Sequence, residues 1–180
     1  MLSGSGTRAG KAGAEAALTD LPEGYSARTS IGLYDDGAPL ALRVERDGAT
    51  AEASGKLPFG MNAAMIGDAI GAETATEGLR IAEIEAADGA WPEAANAGLS
   101  GLATLETGSL EVTGTTVALS GVATRVGCDQ AREALLGLPD RYSARDDIAL
   151  LDDGQPLLLS AAKTDAGTSL AGKLPFGSTA

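Results

Sequence analysis

From Tyr25 the odd positions Tyr25, Ala27, Thr29, Ile31 and Leu33 alternate with mostly polar neighbours, the period-two signature of a half-buried strand. The alternation returns at Tyr142, Ala144, Asp146, Ile148 and Leu150. Asp35-Asp36-Gly37 and Asp152-Asp153-Gly154 follow as turn signals. Leu40, Leu42 and Val44 predict another strand, Asp47-Gly48 a hairpin turn, and a return strand runs toward Lys56-Leu57-Pro58. Leu157 and Leu159 alternate likewise before Asp165-Ala166-Gly167, and Leu110, Val112, Val117 and Leu119 place a third hairpin around Thr113-Gly114. Helical spacing links Ala14, Ala17, Leu18 and Leu21, and again Ala131, Ala134, Leu135 and Leu138. Thr7 and Thr124 suit the N-caps of these helices, and Pro22 and Pro139 stop them. Met65, Ile66, Ala69 and Ile70 predict a helix from Asn62 to about Glu77, with a strand from Leu79 to Glu85 behind it. A last helix starts at Trp91-Pro92, where proline fits the first turn, with Ala95, Leu99, Leu102 and Leu105 inward.

Much of this is said twice. Residues 2–60 align with 119–177 without a gap, identical at about half the positions. LPEGYSARTSIGLYDDGAPLAL answers LPDRYSARDDIALLDDGQPLLL, and SGKLPFG answers AGKLPFG. Such internal repetition signals modular construction. The expected class is α+β, with helices packed on one face of small mixed sheets. Four segments follow: a partial strand–helix–strand module at 1–37, modules at 38–88 and 89–153, and a partial hairpin module at 154–180. Both ends fall inside modules, which points to a piece of a longer repeat protein or else to a complete chain whose terminal pieces cap one another. The end strand at Leu2–Gly4 and the hairpin at Leu157–Leu174 should be thinly covered.

Composition narrows the chemistry. Twenty-five acidic residues face thirteen Lys and Arg, a net charge of −12, with no histidine and one cysteine in 180 residues. Phosphate backbones are repelled by such a surface, so nucleic acid is not an expected partner. No run of about 18 apolar residues occurs, and the first twenty residues carry no apolar export core. Cys128 alone makes no internal disulfide, and the usual zinc and copper ligands are missing. A Ser-His-Asp hydrolase is excluded. Paired acids suffice for glycoside hydrolysis, but no spacing singles out a pair. The expectation is no catalytic residue, no cofactor and no metal.

The order helix–strand–strand–helix–strand from Pro92, with Leu119-Ser120-Gly121 closing its hairpin, resembles the BON module of bacterial envelope proteins. The wording LLDDGQPLLL, AGKLPFG and WPEAANAGLSGLATLETGSLEVTGTTVALSGVATR resembles the N-terminal repeat region of alphaproteobacterial OmpA-family proteins. The resemblance covers nearly the whole chain and rests on turns, glycines and apolar positions. It implies tandem BON-like modules in a non-catalytic protein that supports organisation of the outer membrane and periplasm. The implied partners are other envelope proteins or a membrane surface. Peptidoglycan is bound in that family by a separate C-terminal domain, which none of these 180 residues matches. A glycan- or lipid-binding module of the periplasm is the alternative.

Five side chains stand out as candidate interaction residues. Lys56 and Phe59, repeated as Lys173 and Phe176, place a cation beside an aromatic ring, as an acidic sugar or a partner would need; equally, they end a strand, with the ring packed on its sheet. Trp91, the single tryptophan, is either a sugar-stacking platform or an anchor for its helix. Three further features have a chemical and a structural reading each. The glycine-rich Gly4–Gly10 loop opens a helix and either receives a phosphate or packs strand tightly against helix. Asp35-Asp36 and Asp152-Asp153 either seed a calcium site or make turns. Cys128, near a helix start, is either an activated or an incidental thiol.

Overall fold

The computed structural model describes residues 1–180 except 20, 23, 88, 153–155, 165–166 and 174–180. The turn residues Asp153-Gly154 and Asp165-Ala166, and Phe176, lie outside the described residues. The chain is α+β and divides into two compact units, 1–150 and 151–180.

The first unit opens with β1 (Leu2–Gly6), α1 (Arg8–Ala17) and β2 (Thr29–Leu33). Thr7 caps α1, its hydroxyl accepting from the Gly10 amide at 3.0 Å. The two strands pair in parallel as a separate two-stranded sheet, and β1 is thinly covered, every residue but Gly6 being exposed. Next come β3 (Ala41–Asp47), β4 (Thr50–Leu57), α2 (Ala63–Ile70) and β5 (Glu73–Ile81). After these follow α3 (Trp91–Ala103), β6 (Thr107–Thr113), β7 (Thr116–Ala123), α4 (Arg125–Leu136) and β8 (Ser143–Leu150). The six later strands form one mixed sheet in the order β5-β4-β3-β6-β7-β8. The second unit holds the antiparallel hairpin of β9 (Leu158–Thr164) and β10 (Gly167–Lys173).

Alternation decides which face of the large sheet is covered. Leu42 and Val44 of β3, Leu110 and Val112 of β6, and Val117 and Leu119 of β7 are buried. Arg43, Glu45 and Glu111 between them are exposed. This is the pattern of an antiparallel sheet wetted on one side. Helix α3 supplies Trp91, Ala94, Ala95, Leu99 and Leu102 to the same core. It can lie close because Gly98 and Gly101 face the sheet: a Cβ on Gly98 would stand 2.6 Å from Leu110 Cδ1, and one on Gly101 2.9 Å from Leu119 Cδ2. Burying one such leucine contributes about 1.5–3 kcal/mol.

The two halves of the sheet are related by a local two-fold axis. Shifting by 66 residues carries β3 onto β6 and β4 onto β7, and Val44 pairs with its own equivalent, Leu110. Layers expected as separate small sheets are therefore joined edge to edge. A second difference concerns α2. The helix expected to reach about Glu77 ends at Ile70, because Gly71 takes a left-handed φ of 62° and its N–H bonds back to Gly67. The strand expected at Leu79 begins instead at Glu73. The alanines and threonines of this stretch satisfy both periodicities, and the glycine settles the boundary.

Candidate functional site

Gly55 is where the repeated hairpin acquires its polar cluster. It adopts φ 127°, and a Cβ there would collide with the Ala41 carbonyl oxygen. The adjacent Lys56 side chain is almost wholly buried, and its ammonium reaches Asp35 Oδ1 at 2.7 Å, Asp36 Oδ1 at 2.5 Å and the Ala38 carbonyl at 2.8 Å. The two aspartates also build their own turn, accepting from the amides of Gly37 and Ala38. Arg80 Nη1 lies 3.5 Å from Asp36 Oδ2. The hydrogen bonds from Lys56 hold both carboxyls below the usual carboxylate range, and those same bonds hold the ammonium above the usual lysine value. A cavity of about 250 Å³, lined by Thr7, Tyr34, Arg80 and Glu83 among others, opens beside the cluster. The second unit repeats the device: Gly172 has φ 141°, and Lys173 Nζ lies 2.9 Å from Asp152 Oδ1.

Phe59 belongs to an adjoining lock that the repeat alone does not reveal. The Arg8 guanidinium lies 3.7 Å above its ring. Arg8 also donates from Nε to the Glu83 carbonyl at 2.7 Å and from Nη2 to Glu85 Oε1 at 3.1 Å. Its backbone N–H donates to Glu83 Oε2 at 2.9 Å, so the start of α1 already holds an anion, the chain's own carboxylate. Arg46 serves another helix end, donating from Nη1 to the carbonyls of Leu102 and Ala103 at 3.1 and 2.6 Å. None of Arg8, Glu83, Glu85 and Arg46 stood out in the sequence. The available signal was the recurrence of Arg8 as Arg125 beside a capping threonine.

Trp91 is buried at the start of α3 and borders a cleft of about 370 Å³ shared with Leu40, Ala86, Arg141 and Tyr142. Cys128 is buried too, its thiol 3.8 Å from the Ala123 carbonyl. The open face of the large sheet carries a shallow depression of about 580 Å³ near the two-fold axis, with Glu45, Asp47 and Glu52 on one side and the hydrogen-bonded Ser109 and Ser120 on the other. Among the described residues no group of three or more His, Cys, Asp or Glu is arranged to hold a metal ion. Nor is any described helix long and apolar enough to cross a membrane.

The structure thus brings Lys56 and Phe59 to one end of hairpin β3–β4, leaves Trp91 in the core, and puts Lys173 at the matching end of hairpin β9–β10. Lys56 is turned toward its own chain. The chemistry of this cluster is mutual neutralisation, which fixes the DDG turn against the hairpin that follows it. No family model and no curated protein matches this chain.

Proposed function

We propose that this chain is a non-catalytic structural and interaction region, built of tandem BON-like modules, from an OmpA-family protein of the bacterial cell envelope. It works in the periplasm or at the outer membrane by presenting strand edges and sheet faces to other envelope proteins. The observation that carries the reading is the order α3-β6-β7-α4-β8, half-repeated as β3-β4-α2-β5 about a local two-fold axis. The repetition of the lysine–aspartate clasp in both units supports it further: charged side chains are spent on holding modules in shape. At −12 the chain would meet a membrane through protein, because anionic lipid repels it.

Sedimentation with isolated envelope components tests this reading. The chain is expected to pellet with outer-membrane vesicles that retain their proteins, and to stay in solution with protein-free vesicles or bare peptidoglycan sacculi. Release of sugars from the sacculi would overturn it. The second reading, a glycan- or lipid-binding module, is favoured by the cleft beside Trp91 and Tyr142. In that case soluble glycan fragments or lipid would shift Trp91 fluorescence.

A further inference from the structure

The exposed hairpin β9–β10 carries an edge whose use is displayed elsewhere in the same molecule. At a shift of 117 residues β9 repeats β3, and the register Leu158↔Lys173 repeats Ala41↔Lys56. The other edge of β3 pairs with β6 about the axis at Val44 and Leu110. Since β3 and β6 are equivalent at 66 residues, this edge is self-complementary: hairpin pairs with hairpin. The Gly48 N–H donates to the Glu106 carbonyl at 3.0 Å. Bonded pairs alternate along an antiparallel ladder, so Leu42, Val44 and Arg46 turn their backbone groups toward β6. Their equivalents on β9 are Leu159, Ala161 and Lys163. Every residue of β9 is exposed, and Leu158, Leu159 and Leu170 are each more than half exposed. Among the described residues β9 has no strand partner except β10. Unpaired apolar edges of this kind invite strand addition.

We propose that a second copy of this chain occupies that edge, its β9 running antiparallel to the first about Ala161 to give a four-stranded sheet in the order β10-β9-β9-β10. In this register Ala161 faces the partner's Ala161, and Leu159 faces the partner's Lys163. The lysine stem then covers the leucine while its ammonium stays in water. β9 contains no acidic residue, so the strong negative charge of the chain is absent from the contact itself. This inference stands on the hairpin geometry and does not depend on the envelope reading.

Sedimentation equilibrium of the 180-residue chain across a wide concentration range provides the test. The expected result is a monomer that converts to twice the chain mass as concentration rises. Ala161→Pro removes an N–H from the free edge and none from the hairpin's own ladder, and should leave a monomer throughout. Ala161→Val should keep the dimer, with far-UV circular dichroism showing that both variants are folded. Hydrogen exchange adds a readout by residue: the amides of Leu159, Ala161 and Lys163 should slow with concentration, while those of Ser160 and Ala162 should not. A wild-type chain that stays monomeric overturns the proposal, and so does a dimer indifferent to Ala161→Pro. Protection of Ala161 in the monomer would put another segment of the same chain on the edge and overturn it equally.

Discussion

Hairpins β3–β4 and β9–β10 share a register, a left-handed glycine and a lysine–aspartate clasp, yet the first buries one face in the core while every residue of β9 is exposed. Leu42 is 1% exposed and its equivalent Leu159 is 54% exposed. The difference lies in the surroundings: β3–β4 has β6 on its flank and the helices of its unit over one face. A hairpin is therefore written locally, by turn residues, alternation and the glycine kink. Burial is conferred by neighbours. The lysine–aspartate pair forms in both hairpins, its partners 21 residues apart in each.

The largest expected contrast is between the two leucines. Leu42→Ala should cost about 2–5 kcal/mol, as large-to-small core changes do, and Leu159→Ala, at dilutions where the chain is a monomer, within about 0.5 kcal/mol, as exposed changes do. Urea unfolding followed by Trp91 fluorescence and far-UV circular dichroism measures both, and equal losses would break the comparison.

The kink glycines should behave alike instead. In either hairpin Gly→Ala places a Cβ against a strand carbonyl at a φ that L-residues avoid, costing about 1–3 kcal/mol. Gly55→Ala should move the Trp91 transition, and Gly172→Ala should remove only the hydrogen-exchange protection of its own hairpin.

A smaller effect is expected from pH. The Asp35 and Asp36 carboxyls titrate below their ordinary range in the folded chain, so their contribution is complete above about pH 4–5 and fades as pH falls through the lowered values. The Lys56 ammonium titrates above its ordinary range, so its contribution is complete below about pH 10 and fades as pH rises beyond. Lys56→Gln should flatten both limbs of the stability profile. An unchanged acid limb would show that the clasp contributes nothing.

The smallest effect concerns the ring under Arg8. Phe59→Leu should cost about 0.5–1 kcal/mol, the range of an exposed cation–π contact. It should also speed exchange in α1, which Arg8 ties to Glu83.

Much of this architecture was legible in the residues. Alternation at Leu42 and Val44, turns at Asp47-Gly48 and Thr113-Gly114, and caps at Thr7 and Thr124 act within a few residues of themselves, and all stand where they were read. The end of α2 is not legible in the residues, because Ala72, Thr74, Ala75 and Thr76 past Ile70 fit two periods and Gly71 can either continue a helix or cap it. For the candidate site, the recurrence of Lys56 and Lys173 was visible, but its meaning was not. An ammonium can bind a partner or its own chain, and only the position of Asp35 and Asp36 decides. The lock of Arg8 on Glu83 spans 75 residues, beyond any local pattern.

By itself, then, the sequence determined the order of strands and helices, the 117-residue repetition and the absence of histidine, but not the end of α2 or the start of β2, which was expected at Tyr25 and lies at Thr29; composition, periodicity and turn chemistry are properties of short stretches. Tertiary structure alone decided that two hairpins meet at Val44 and Leu110, that α1 receives the Glu83 carboxylate, and that Leu42 is covered while Leu159 is not. Strand edges and apolar faces name no partner. Which edge finds which is settled by the geometry of the whole fold, where burial and hydrogen bonding are completed together.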